Sequence, residues 1–239
     1  MGRKKGHKMK KMSQRFLALY FSINFFVTIS VVVISMFLFR KHHKTFRHLW
    51  AKLQLFLLGV KLEIEGKPDS EAKMLLLNHQ SVADIVIMEA IYPADLAWVA
   101  KKEIGDIPFF GHILDLPEMI AIERENRKSL VKLFKDAKDR LKKGRVIAIF
   151  PEGTRSDGKK LLPFKAGAKL LAEKLEIKVQ PAVFIGTISV FDSKNFLGNY
   201  GTKVKLVYLN PVDPKKDPKW FEKLKDDMDK VLQNSLKEQ

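Results

Sequence analysis

The first long apolar run of the chain extends from Phe16 to Phe39 and holds no charged residue; its strongly polar members are Ser22, Asn24, Thr28, Ser30 and Ser35. A helix needs about 20 predominantly apolar residues to cross a bilayer core, and this run meets that length. A secretory signal core is shorter, about 7–15 residues, and leads to a small-residue cleavage site. Here the run leads into Arg40-Lys41-His42-His43-Lys44, so the pattern predicts a retained membrane helix. Next, Phe46, Trp50, Leu53 and Leu57 recur at three- and four-residue steps, with Arg47 and Lys52 off that line. This is the pattern of an amphipathic helix, which can lie in the membrane interface, pack on the rest of the protein, or do both.

Beyond Gly59 the pattern changes to short apolar runs of β type: Lys61 to Glu65, Met74 to Leu77, Leu96 to Ala100, Met119 to Ile122, Val146 to Phe150, Val179 to Ile185 and Val204 to Leu209. Helical stretches lie between them. Arg127 to Lys143 carries Leu130, Val131, Phe134, Ala137 and Leu141 on one predicted face and closes on Gly144, a common helix stop. Lys165 to Leu175 and Pro218 to Lys237 are further helix candidates, the latter amphipathic through Phe221, Leu224, Met228, Val231 and Leu232. Strands alternating with helices predict an α/β fold with a mixed, mostly parallel sheet flanked by helices. The division expected is a basic N-terminus with membrane-anchoring helices over 1–60 and an α/β domain over 61–239.

Composition narrows the partners. The 239 residues hold 44 Lys and Arg against 27 Asp and Glu, a formal net charge of +17, which favours anionic lipid, phosphorylated substrates or nucleic acid. Much of the excess flanks the hydrophobic run, where lipid headgroups explain it. Nothing in the sequence resembles an RNP-type pattern or a zinc-finger spacing, so nucleic acid is not an expected partner. Both flanks are basic, so charge asymmetry does not choose between a single span and insertion into one leaflet. There is no Cys, which excludes disulfides and thiolate chemistry. His pairs at metal-ligand spacing are missing around His79, and no metal is expected.

Two polar constellations follow predicted strands. Met74 to Leu77 delivers Asn78-His79-Gln80-Ser81-Val82-Ala83-Asp84 at a strand's carboxyl end, where α/β sheets place ligands. On one straight helix, His79 and Asp84 would point about 140° apart. Across a strand-to-helix turn, Asp84 can accept the imidazole Nδ1 proton and leave Nε2 as a general base. The same spacing, Ser81-x-x-Asp84, also reads as a capping box that serves only the helix end. The second constellation, Phe150-Pro151-Glu152-Gly153-Thr154-Arg155-Ser156, places a guanidinium suited to phosphate in a turn crowded with polar groups. Taken alone it is also an ordinary surface turn.

Together the two resemble the blocks of the glycerolipid acyltransferase family, closest to the 1-acyl-sn-glycerol-3-phosphate acyltransferases. The resemblance spans roughly Leu75 to Phe184 and includes Ala121-Ile122-Glu123-Arg124, Val179-Gln180-Pro181-Ala182-Val183 and the Lys101-Lys102-Glu103 stretch. Glu123 stands where the family usually has Asp, and Ala121 where it has an aromatic. The resemblance implies that His79, oriented by Asp84, deprotonates the sn-2 hydroxyl of lysophosphatidic acid as it attacks an acyl thioester, carried by coenzyme A or acyl-carrier protein. It also implies phosphate binding by Arg124 and Arg155, with Lys101 as a third cation. Glu152, Gly153 and Thr154 would shape the acceptor site. No cofactor is implied. The expected location is the cell membrane, with the catalytic domain on the cytoplasmic side and anionic lipids around the anchor. Glycerol-3-phosphate or another lysophospholipid as acceptor, and a noncatalytic lipid-binding role, are the alternatives.

Overall fold

The computed structural model describes residues 2–123 and 128–238. Helix α1 (Gly2–Leu38) includes a stretch, Met9–Leu38, long and apolar enough to cross a membrane, and its most apolar 18 residues have a mean hydropathy of 2.3. Its polar residues do not break it. The hydroxyls of Ser22, Thr28, Ser30 and Ser35 donate to the carbonyls of Ala18, Asn24, Phe26 and Val31, four residues back, at 2.7–2.8 Å. Each thereby satisfies its own polarity inside an apolar helix.

Helix α2 (His43–Leu58) follows after one 3-10 turn. Its buried stripe is Arg47, Trp50, Ala51 and Gln54, whereas Leu53 and Phe56 face outward. The face predicted from Phe46, Trp50, Leu53 and Leu57 is therefore rotated. Arg47 turns inward because two carboxylates await it there. It donates to Glu89 at 2.6 Å and forms an ion pair with Asp95. The outward face still presents Leu49, Leu53 and Phe56. Thr28 of α1 ties the two helices together, since its Oγ1 accepts from Trp50 Nε1 at 3.0 Å and from Gln54 Nε2 at 2.9 Å. Lower on α1, Gly198 permits contact with the domain. A Cβ there would stand 2.9 Å from the Phe21 ring and 3.0 Å from the Ala18 nitrogen.

The remaining chain builds a seven-stranded sheet of order β1-β9-β6-β2-β5-β3-β4. The strands are β1 (Lys61–Glu65), β2 (Met74–Leu77), β3 (Leu96–Lys101), β4 (Ile120–Ile122), β5 (Val146–Ile149), β6 (Val179–Ile185) and β9 (Lys203–Tyr208). Every neighbouring pair is parallel except β6 with β9. A short hairpin of β7 (Phe191–Asp192) and β8 (Leu197–Gly198) stands apart. Central strands β2, β5 and β6 are buried throughout, which is why β2 and β5 read as unbroken apolar runs; in β6 only Gln180 interrupts, and its amide is satisfied by the Lys67 carbonyl and the Asp69 N–H.

Alternate residues feed opposite faces. Met74 and Leu76 enter a core shared with α5 (Lys128–Lys142), α6 (Ala166–Leu175) and, beyond the one-turn α7 (Thr187–Val190), α8 (Trp220–Lys237). Leu75 and Leu77 enter the core under α3 (Val82–Ile91) and α4 (His112–Asp115). On α5 the buried residues include Leu133 and Ala137, while Val131 is exposed. Of the predicted stripe, Leu130, Phe134, Ala137 and Leu141 do pack on this core; Val131 faces outward and Leu133 takes its place.

Candidate active site

Strand order explains the site. In sequence β2 and β5 are far apart, yet in the sheet they are parallel neighbours, with Leu76 opposite Ile149. The turns at their carboxyl ends therefore meet. The Ser156 N–H donates to the His79 carbonyl at 2.8 Å, and the His79 N–H donates to Glu152 Oε1 at 2.7 Å.

His79 Nδ1 lies 2.8 Å from Asp84 Oδ2. The same oxygen accepts the N–H groups of Gln80 at 2.7 Å and Ser81 at 2.9 Å, and Ser81 Oγ accepts from Ala83 N–H at 3.3 Å. The capping box and the His–Asp pair are thus one arrangement, and Asp84 serves both. Asp84 is fully buried, while the His79 side chain keeps 12% of its surface. Among the described residues, no hydrogen bond engages His79 Nε2. Neighbouring amides lock the loop. Asn78 exchanges two hydrogen bonds with the Phe184 backbone, and Gln80 Nε2 donates to the Phe184 carbonyl at 2.8 Å. The hydroxyl of buried Ser81 donates to the Phe191 carbonyl at 2.7 Å, which commits its proton away from any nucleophilic role.

Glu152 is also buried, and its second oxygen accepts the Leu162 N–H at 2.8 Å. Burial pushes its carboxyl up to about 7, against the two N–H groups that favour the charged form. The unfolded chain releases this proton near 4.5 and the folded chain near 7. Stability from this group is therefore complete below about pH 4.5 and is lost as pH rises to about 7, by about 3 kcal/mol. Glu152→Gln is expected to abolish that slope. Denaturant unfolding of both proteins in detergent at pH 5 and pH 7.5 checks it, and a wild-type slope surviving in the variant would assign the titration elsewhere.

Gly153 follows with φ +69°, and a Cβ there would press on the Lys165 side chain at 3.0 Å. Both the backbone conformation and the space favour glycine. Thr154 and Arg155 are exposed; Arg155 donates to Ser193 Oγ at 2.6 Å. Lys101 ends β3 in solvent, paired with Glu103 at 3.1 Å. Arg124 lies outside the described residues.

Two pockets flank the loops. The first, about 260 Å³, is mostly apolar; Phe21, Phe25 and Phe26 of α1, Val82, Ala83 and Val86 of α3, and Arg155 help to line it. The second, about 300 Å³, runs from Val99 and Ile122 past Phe150 and Gly153 to Lys165. Trp50, Phe109 and Phe110 line neither: Trp50 packs on Phe25, and Phe110 on Phe26. His112 is exposed and meets Asp115 at 2.9 Å.

The model of the family described as Acyltransferase matches residues 60–185, which span β1 to β6 and both turns. The chain belongs to the acyltransferase family. It is 41% identical over 226 residues to a 1-acyl-sn-glycerol-3-phosphate acyltransferase of Helicobacter pylori, covering 93% of this chain and 95% of the relative. Against the enzyme of that name from Escherichia coli it is 35% identical over 177 residues, 72% and 71% of the two chains. Its fold matches the crystal structure of the 1-acyl-sn-glycerophosphate (LPA) acyltransferase PlsC from Thermotoga maritima, with a TM-score of 0.75 and 27% identity over 96% and 97% of the chains.

In this acyltransferase the sequence hid one part of the site. The His79 ring stacks on Phe150, and Phe150 on Trp98. Phe150 is the first residue of the second constellation, but only the pairing of β3 with β5 brings Trp98 to it.

Proposed function

We propose that the protein transfers a fatty acyl group from an acyl thioester to the sn-2 hydroxyl of 1-acyl-glycerol-3-phosphate, giving phosphatidic acid. The observation that carries this reading is the buried Asp84 carboxylate 2.8 Å from His79 Nδ1, with the other imidazole nitrogen engaged by no hydrogen bond among the described residues. Nε2 takes the proton of the acceptor hydroxyl as its oxygen bonds to the thioester carbonyl carbon. The tetrahedral intermediate then collapses, the carbon–sulfur bond breaks, and the imidazolium returns its proton to the departing thiolate. Asp84 fixes the tautomer and balances the imidazolium charge, the role of the acid in a triad, with the substrate hydroxyl in place of an enzyme serine. Arg155, at a mostly apolar pocket, suits a molecule with one phosphate and one acyl chain. Arg124 and Lys101 complete the phosphate site in this reading. Coenzyme A or acyl-carrier protein carries the donor acyl group.

The apolar outer face of α1 and the exposed Arg40, Lys41 and Lys44 support attachment to the cell membrane among anionic lipids, with the site facing the cytoplasm. Release from the membrane fraction by a salt wash would contradict an inserted anchor.

The test is transfer from a labelled acyl thioester in detergent, with 1-acyl-glycerol-3-phosphate and glycerol-3-phosphate as competing acceptors. Preference for the first supports the reading, preference for the second moves the enzyme to the other acceptor, and no transfer to any lysolipid sinks it. Asp84 variants add a sharper measurement. Asparagine can place its oxygen where Oδ2 accepts three bonds, so Asp84→Asn keeps the helix cap yet loses the charge opposite the imidazolium. It is expected to lose kcat by about a hundredfold with a modest change in Tm. Asp84→Ala should lose the activity and an additional 1–2 kcal/mol or so of cap stability. An active Asp84→Asn protein would leave Asp84 with the capping role alone.

A further inference from the structure

The imidazole of His79 lies almost flat on Phe150, with ring centroids 3.9 Å apart and planes 12° from parallel. Trp98 stacks on Phe150 in turn, at 5.3 Å and 21°. Trp98 is itself pinned, because its indole N–H donates to Glu89 Oε1 at 2.7 Å and the same oxygen accepts from Arg47 at 2.6 Å. Trp98 is nearly fully buried. Phe150 thus contacts both a fixed ring, Trp98, and the reacting ring, His79.

The stacking geometry discriminates between the two charge states of His79. Neutral aromatic faces carry like quadrupoles and prefer offset or edge-on contact to a close, near-parallel stack. A cation over the same face is attracted to it. The observed arrangement therefore suits imidazolium better than imidazole. During transfer His79 becomes imidazolium, so a contact that strengthens with that charge lowers the barrier rather than merely binding substrate. Asp84 meets the charge in the plane of the ring; Phe150 meets it from the face.

We propose that Phe150 is a positioning residue for acyl transfer, holding the His79 ring and stabilising its protonated form through the ring face, with Trp98 as its backing. This rests on His79 being the general base. The rival account is that Phe150 only fills space beside the second pocket, which its position also permits. The two differ in what can replace it. A space-filler is satisfied by leucine, whereas a π face is supplied by tyrosine and not by leucine.

The experiment uses the full-length protein in detergent with labelled acyl-coenzyme A and 1-acyl-glycerol-3-phosphate, comparing wild type, Phe150→Leu, Phe150→Tyr and His79→Ala. The expected result is a fall in kcat of about tenfold for Phe150→Leu with KM for the acceptor nearly unchanged, and kcat within about threefold of wild type for Phe150→Tyr. Phe150→Leu at wild-type kcat overturns the proposal, as does an equal loss in the leucine and tyrosine variants. Should the leucine variant not fold, the carbon-bound ring protons of isotope-labelled His79 in wild type decide: a stacked phenyl shields them upfield of those of exposed His112, and unshielded signals overturn the proposal. Full activity of His79→Ala would remove the general-base reading and this proposal together. An inactive His79→Ala beside a wild-type Phe150→Leu would remove only the role of Phe150.

Discussion

His79→Ala is expected to lower kcat for acyl transfer by at least about a hundredfold while leaving the protein folded. The size follows from what the imidazole does. Without a base, the acceptor hydroxyl must shed its proton to water in the transition state. The fold, by contrast, has little need of the ring. The segment is held by the His79 backbone, whose N–H and carbonyl engage Glu152 and Ser156, and by Asn78 and Gln80 on the Phe184 backbone. Asp84 keeps the N–H groups of Gln80 and Ser81 when the ring is gone. Tm should therefore change little, and a Tm loss as large as the activity loss would mean that the assay reports unfolding. Equal rates in the two proteins would keep the enzyme and remove His79 from its chemistry.

Arg47→Met is expected to have the largest effect on stability, about 3–5 kcal/mol. The Arg47 side chain is 8% exposed and that of Glu89 is 9% exposed. Burial drives the Glu89 carboxyl upward, and the Arg47 charge is the main force that opposes it. Removing Arg47 leaves Glu89 facing the Trp98 N–H and leaves Asp95 to Arg145 and His43. Methionine fills the space without replacing the charge, so the loss reflects the stranded carboxylate and not a cavity. The double variant Arg47→Met/Glu89→Gln should recover part of the stability, because it removes the stranded charge as well. Thermal unfolding of the set in one detergent measures this, and a double variant no more stable than the single one would place the cost in lost packing.

The strands were legible because burial wrote them plainly. Met74 to Leu77 and Val179 to Ile185 are apolar, short and bounded by polar turns, and they are strands over those very residues. The His79–Asp84 geometry was legible for a local reason, since five residues across a turn can meet only in a few ways. The face of α2 is not legible from pattern, because Arg47 reads as a solvent marker and is buried. A charged side chain is a poor guide to exposure when its partners lie about 40 residues further on, in α3 and before β3, and only tertiary structure supplies them. The same limit hid the Phe150 stack, which depends on β3 and β5 lying side by side. Pattern alone gives the seven strands of the main sheet to within about one residue and leaves out α4 and the β7–β8 hairpin; neighbour relations across the sheet come from the folded chain.

One of those neighbour relations bears on how the chain is made. Strand β1 has β9 as its partner, Lys61 lying opposite Lys203. During synthesis the first strand of the domain therefore leaves the ribosome about 140 residues before its mate, a wait of roughly 7–30 s at about 5–20 residues per second. For that time it is an open edge able to pair with any other nascent strand. Its sequence, Lys-Leu-Glu-Ile-Glu, is suited to waiting. Charges at Lys61, Glu63 and Glu65 interrupt the apolar residues and make a second copy of the strand a poor partner, so the same residues that leave β1 mostly exposed in the finished enzyme protect its unfinished form from aggregation.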